Sequence, residues 1–300
     1  MTVNEIKEKI AELEAELTRA EAVESDIVIN PDEAELEKQH QEDLQRIRGF
    51  RLIDDDFMNA CFDGYIEGTE LLLRIILNKQ DIHVKKVTTQ KVMKNLLGRD
   101  VWLDIDADDD SGREYDIEVQ RADRGADRKR ARYHSSILDA HLLQPKEDFS
   151  RLPETFVIFI TENDVIGKGK PLYRIERRIE ETDEPFDDGE HIMYVNGADK
   201  NTSTELGKLM HDFFCTNADD MHYKELADKV RYFKEDEKGV KSMCKVLEDM
   251  RNETAKQVMV NNIQNLMKNL KLSVEQAMEA LSVPQTQREM YAGIVEKKAL

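Results

Sequence analysis

Acids alternate with apolar residues along positions 101–107 (VWLDIDA) and again along 115–120 (YDIEVQ), with Asp108-Asp-Asp-Ser-Gly112 between them. Period-2 alternation is the pattern of half-buried strands. Asp110-Ser111-Gly112 suits a three-residue hairpin loop with Gly112 in the left-handed region. Counting outward from that loop, Asp109 pairs with Arg113, Asp106 faces Asp116, and Asp104 faces Glu118. Opposed side chains place their Cβ atoms ~5 Å apart, where like charges repel. A compensating charge is therefore expected, and a hard divalent cation with oxygen ligands would supply it. Such an ion can activate water near neutral pH and absorb charge developing on a phosphate, the two needs of phosphodiester hydrolysis. Asp104 and Glu118 are the candidate metal ligands, with the carbonyl of Val119 as a further oxygen. Gln120 shares the face of Glu118, and its amide can position water or contact phosphate but is no base. Asp106 and Asp116 read as solvated strand residues, and Asp108 to Asp110 as a turn, because no twelve-residue calcium-loop spacing follows.

Charge is unevenly distributed around this hairpin. The 300-residue chain carries a formal net charge of −19, which opposes broad, sequence-independent affinity for nucleic acid. Yet nine acids against Arg113 in 100–120 are followed in 121–134 by six bases (Arg121, Arg124, Arg128, Lys129, Arg130, Arg132) against Asp123 and Asp127. One reading is an acidic metal site beside a basic segment that grips a phosphodiester. The other is two solvated charge runs that pair with each other. The three cysteines form no CxxC pair, so neither a disulfide framework nor a zinc site is indicated. The absence of an apolar run of roughly 20 residues argues for a soluble, cytoplasmic chain without a membrane partner.

The elements that must position these residues follow from periodicity. A helix over 4–22 carries Ile6, Ile10, Leu13 and Leu17; Asn30-Pro31 interrupts it, and a second charged helix is expected over 32–48. Together they read as a helical hairpin arm over 1–48. Residues 56–78 read as an apolar helix, with Gly64 and Gly68 marking a kink or a late start. Strands are expected at 82–87, in the two hairpin arms, and at 155–160 (TFVIFI), the last apolar enough for a central strand covered on both faces. A helix over 127–143 precedes Pro145. The order α-β-β-β-α-β gives an α/β (α+β) mixed sheet with helices on its faces. Further strands are expected at 171–179 and 192–195, then helices at 203–215, 220–233, 239–270, 273–281 and 285–297. The domain reading is 1–48 as the arm, 49–235 as the body and 236–300 as a helical C-terminal extension.

This element order, with an Asp on the second strand and Glu-x-Gln on the third, resembles the PD-(D/E)XK nuclease superfamily and its restriction-endonuclease-like fold. The segments 54–62 (DDDFMNACF), 70–77 (ELLLRIIL), 103–105 (LDI), 117–125 (IEVQRADRG), 129–133 (KRARY) and 156–164 (FVIFITEND) look like its transposase branch, akin to the recombination-promoting nucleases. The resemblance spans about 50–235. It implies a Mg²⁺- or Mn²⁺-dependent DNA endonuclease acting in transposition or recombination, with Asp104 and Glu118 as ligands and Gln120 at the superfamily's usual lysine position. It also implies an assisting carboxylate on the first helix, here assigned to Glu70, although Arg74 four residues on is an alternative partner. Arg128, Lys129, Arg132 and Tyr133 would hold the substrate backbone. The glutamine departs from the family pattern and leaves the water-activating role open. The competing reading is a catalytically degenerate nuclease fold that serves as an interaction protein, assembled as a homo-oligomer through its N- or C-terminal helices.

Other signals carry less. His134 and His141 share a helical face, but no carboxylate completes a zinc set in the sequence. Trp102, the only tryptophan, reads as a packing residue. The segment 272–284 has a helix-turn-helix cadence with Ser273 and Gln276 forming a capping box, but too few bases for a DNA reader.

Overall fold

A computed structural model of the chain describes residues 33–95 and 98–297. The helix expected over 4–22 lies outside the described residues. By internal contacts the chain divides into residues 1–43 and 44–300, and only the second unit bears on the site. A helix, α1 (Glu33–Gly49), crosses this division.

The larger unit is built on a six-stranded mixed sheet. Its strands are β1 (Val84–Met93), β2 (Val101–Asp109), β3 (Glu114–Gln120), β4 (Thr155–Thr161), β5 (Leu172–Ile175) and β8 (Glu190–Asn196), in the order β1-β2-β3-β4-β8-β5. The three leading strands are antiparallel, β3, β4 and β8 run parallel, and β5 closes the far edge antiparallel to β8. β6 (Arg178–Ile179) and β7 (Glu184–Pro185) form a separate exposed ribbon. β4 is buried at every position, as its unbroken apolar run requires.

The apolar stretch at 56–78 forms two helices, α2 (Asp55–Phe62) and α3 (Ile66–Leu77), rather than one. The break falls at Asp63-Gly64, where Gly64 adopts φ +62°, a conformation a side chain would strain. α2 and α3 cover one face of the sheet together with α5 (Glu205–Phe214), α6 (Lys224–Glu235) and the start of α7 (Glu237–Leu270). The opposite face holds a smaller core under α4 (Arg128–Leu142), through Ala131, Ile137 and Leu138. A third cluster joins the far half of α7 to α8 (Val274–Ala280) and α9 (Gln285–Lys297). The expected boundary at 235/236 coincides with a change of helix but not with an end of the core, since Met243 and Leu247 of α7 belong to the main cluster. Ser273 and Gln276 form the expected capping box.

The hairpin has the register counted from its loop: Asp106 faces Asp116, Asp108 faces Glu114, and the Asp109 amide donates to the Arg113 carbonyl, with Gly112 at φ +78°. Asp109 anchors the turn. Its buried carboxylate accepts the amides of Ser111 and Arg113, the Arg113 Nε at 2.7 Å and the Tyr115 hydroxyl at 2.8 Å. Burial works to raise this carboxyl, but the hydrogen bonds from Tyr115 and Arg113 outweigh it and hold it below the usual range. Asp109→Ala would leave Arg113 and Tyr115 buried without their acceptor, at a cost of about 3–5 kcal/mol. Thermal or urea unfolding should show that loss, and Asp108→Ala, next to it on the strand, should change stability far less.

Candidate metal and nucleic-acid site

The regular alternation along β2 breaks at Asp104. Ile105 and Ala107 belong to the larger core, whereas Val101 and Leu103, of the same parity, belong to the smaller core on the other face. β1 changes core in the same way, from Val84 and Val87 to Met93, and between them Gln90 takes φ +52°. The β2–β3 ladder ends at Ile105–Ile117. Beyond it, side chains bridge the strands: the Asp104 amide donates to Glu118 Oε1 at 3.1 Å, and the Val119 amide donates to Asp104 Oδ2 at 2.9 Å. In a strand the N–H and C=O of one residue point to the same side, so the Val119 carbonyl also faces the gap beside Asp104.

Around this gap the other acids receive partners from separate elements. Asp106, buried, accepts Lys91 Nζ at 2.7 Å. Asp116, with no exposed surface, faces His134 Nδ1 at 2.9 Å, and Glu118, equally buried, accepts Arg130 Nη2 at 2.8 Å. Arg130 Nε also donates to His134 Nε2 at 3.2 Å, so the ring's remaining proton sits on Nδ1 and goes to Asp116. Burial lowers the His134 pKa, consistent with a neutral ring. The sequence reading of Asp106 and Asp116 as solvated residues is therefore corrected: the sheet buries both. So is the reading of His134 as lacking carboxylates. Asp116, Glu118 and His134 each offer a ligand atom, and these atoms lie within 4.8 Å of one another.

The donor set fits a divalent cation. Asp116 Oδ1 and Asp106 Oδ1 are buried without a hydrogen-bond partner, an arrangement that is costly unless something positive satisfies it. Burial, with neighbouring acids adding, raises Asp116 and Glu118 well above the ordinary carboxylate range. Burial likewise raises Asp104 to about 6, with Asp55 adding to it. Carboxylate oxygens suit Mg²⁺ or Mn²⁺.

The remaining candidates separate. Gln120 lies beside Glu118, Nε2 to Oε2 at 3.5 Å, and packs so closely on Gly125 that a Cβ there would stand 2.1 Å from its Oε1. Glu70 is drawn elsewhere: it pairs with Arg74 and accepts the Val84 amide. Val84 faces Asp109, five residues along β2 from Asp104 and roughly 16 Å away at a strand's rise. The helix carboxylate whose charge reaches Asp104 is Asp55, in the first turn of α2, which lines a small depression with Val119, Gln120 and Arg121. The acidic triplet before Phe57 was the available signal for it. Lys129, Arg132 and Tyr133 line a groove of about 1180 Å³ together with Arg99, Arg124 and Arg130, whereas Arg128, on the same helix, is not part of that lining. The Tyr133 hydroxyl is occupied, donating to the Arg99 carbonyl at 2.6 Å and accepting from Asn95 at 2.9 Å, so it braces the β1–β2 connection. Arg130, which no sequence argument singled out, joins groove and acids.

Two of the comparisons with known proteins are empty: no curated protein and no solved structure matches the chain. A family model described as "PD-(D/E)XK nuclease family transposase" matches residues 69–293.

The raised carboxyl pKa values fix the sign of a pH effect on the metal-free protein. A carboxyl that holds its proton more tightly when folded stabilises the fold at low pH, and that contribution is lost as pH rises from about 4 through about 6. In chelator, the melting temperature should therefore fall between pH 4.5 and 7.5. Asp104→Asn, which keeps an oxygen for the Val119 amide, should recover on the order of 1–2 kcal/mol at pH 7.5. Equal melting curves for the two proteins at both pH values would contradict the assignment.

Proposed function

Because the chain belongs to the PD-(D/E)XK nuclease family transposases, we propose that it is a divalent-metal-dependent DNA endonuclease that hydrolyses phosphodiester bonds during DNA rearrangement. The observation that carries the reading is the Asp104–Asp116–Glu118 cluster, in which Asp116 and Glu118 are buried and Asp116 Oδ1 is unpartnered, lying beside a cationic groove. Asp104, Glu118 and the Val119 carbonyl would hold the ion, with Asp116 and His134 at its flank. When bound, a divalent ion supplies an activated water and stabilises charge on the phosphate.

The chain's own residues do the rest. Asp104 and Glu118 stand on strands, each braced by the other strand's amide, which gives the rigidity a catalytic constellation needs. Gln120 can orient a water or a phosphate oxygen through its amide, and Gly125, having no Cβ, leaves room for that amide. Lys129 and Arg132 offer charge-assisted hydrogen bonds to the strand on the groove side. Arg130 holds Glu118 through an ion pair and can transfer one of its donors to a phosphate without leaving the site.

The same ion pair favours the second reading, a nuclease fold retained for assembly, since Arg130 already neutralises Glu118 without any metal. Two measurements separate them. Calorimetric titration with Mn²⁺ should show binding that Asp104→Asn or Glu118→Gln removes. In a plasmid-nicking assay with Mg²⁺ or Mn²⁺, each variant should lose activity by about a hundredfold or more while keeping a cooperative unfolding transition. Nicking that persists in both variants would overturn the site, and no Asp104-dependent binding would favour the assembly reading.

A further inference from the structure

Trp102 does not pack as its sequence context predicts. Its neighbours Val101 and Leu103 are buried in the smaller core, while Trp102 is left 56% exposed at the start of β2. It lines the same groove as Arg99, Arg124, Lys129, Arg130 and Arg132. Of these cations, Arg99, Arg124, Lys129 and Arg132 make no ion pair among the described residues. The one acid in the lining, Asp100, is engaged by Lys94 and by the Asn95 amide. A chain with a net charge of −19 thus keeps a concentrated, unspent positive charge around a single exposed indole. Two residues of the lining, Arg130 and His134, contact Glu118 and Asp116 directly, so the groove leads to the carboxylates.

We infer that this groove receives an unpaired nucleic-acid strand and that Trp102 stacks on one of its bases. The inference rests on the nuclease reading of the acidic site and adds the substrate class. In a duplex the faces of the bases are covered by their neighbours, and only edges and backbone are open to a protein. An exposed indole stacks best on a base whose face is free; a basic track with an aromatic platform is the general solution for binding single strands. The surrounding arginines and the lysine hold the phosphates without reading sequence.

The test uses the full chain in chelator, so that nothing is cleaved, and it exploits Trp102 as the only tryptophan. Labelled oligo-dT, oligo-rU and a mixed-sequence duplex of equal length are titrated, reading both tryptophan emission and label anisotropy. Single strands should bind and quench the emission, with affinity falling steeply as salt rises; the sugar giving the stronger response identifies DNA or RNA. The duplex should quench little. Trp102→Ala should weaken single-strand binding on the order of 10-fold to 100-fold and leave duplex binding and Mn²⁺ titration unchanged. Binding without quenching, or equal affinity of Trp102→Ala for the single strand, overturns the inference while leaving the nuclease reading to its own assay. An emission shift on simple dilution, without nucleic acid, would show that a second copy covers Trp102, and would overturn it too.

Discussion

Everything at the site depends on two crossed hydrogen bonds: the Asp104 amide to Glu118, and the Val119 amide to Asp104. Where β2 leaves β3, backbone groups lose their ladder partners and must find others. Here the partners are the two carboxylates themselves. This keeps strand ends paired through side chains and holds two acids against their mutual repulsion, which burial strengthens. The reversal of core side at Asp104 and Gln90 is the backbone counterpart of the same event. A straight, regularly alternating hairpin would leave no gap in which to gather oxygens.

The site is expensive for the fold, and its compensation is distributed. Lys91 reaches Asp106 from β1, His134 reaches Asp116 from α4, and Arg130 reaches Glu118 from the same helix. Farther out, Asp109 takes Arg113 and Tyr115. Breaking any buried pair would leave an uncompensated charge, so these contacts constrain how α4 docks on the sheet. The unpartnered oxygens of Asp106 and Asp116 mark what that compensation does not cover.

The docking of α4 also joins the cationic groove to the acids. The helix turns His134 and Arg130 inward to the acids, while Lys129 and Arg132 project into the groove. Its start is fixed by Asp127, whose side chain accepts the Lys129 amide. Charge runs that look self-cancelling along the sequence are thus sorted in space, with Arg130 committed to the acids and four other cations left in the groove.

Local pattern alone gave a good deal of this protein. The period-2 alternation and the Gly112 loop specified the hairpin register, the run at β4 specified a central strand, and the sequence pattern placed the helices from α4 onward to within a few residues. These features are legible because strands, turns and helices are set by neighbours a few positions apart. Tertiary packing decided the rest. His134 meets Asp116 across 18 residues and Arg130 meets Glu118 across 12, contacts that exist only once α4 lies on the sheet. Glu70 and Asp55 stand on helices of similar promise, and only the sheet's geometry sends the first to Val84 and brings the second near Asp104. The exposure of Trp102 was hidden for the same reason: alternation says which side of a strand a residue takes, but not whether another element covers that side.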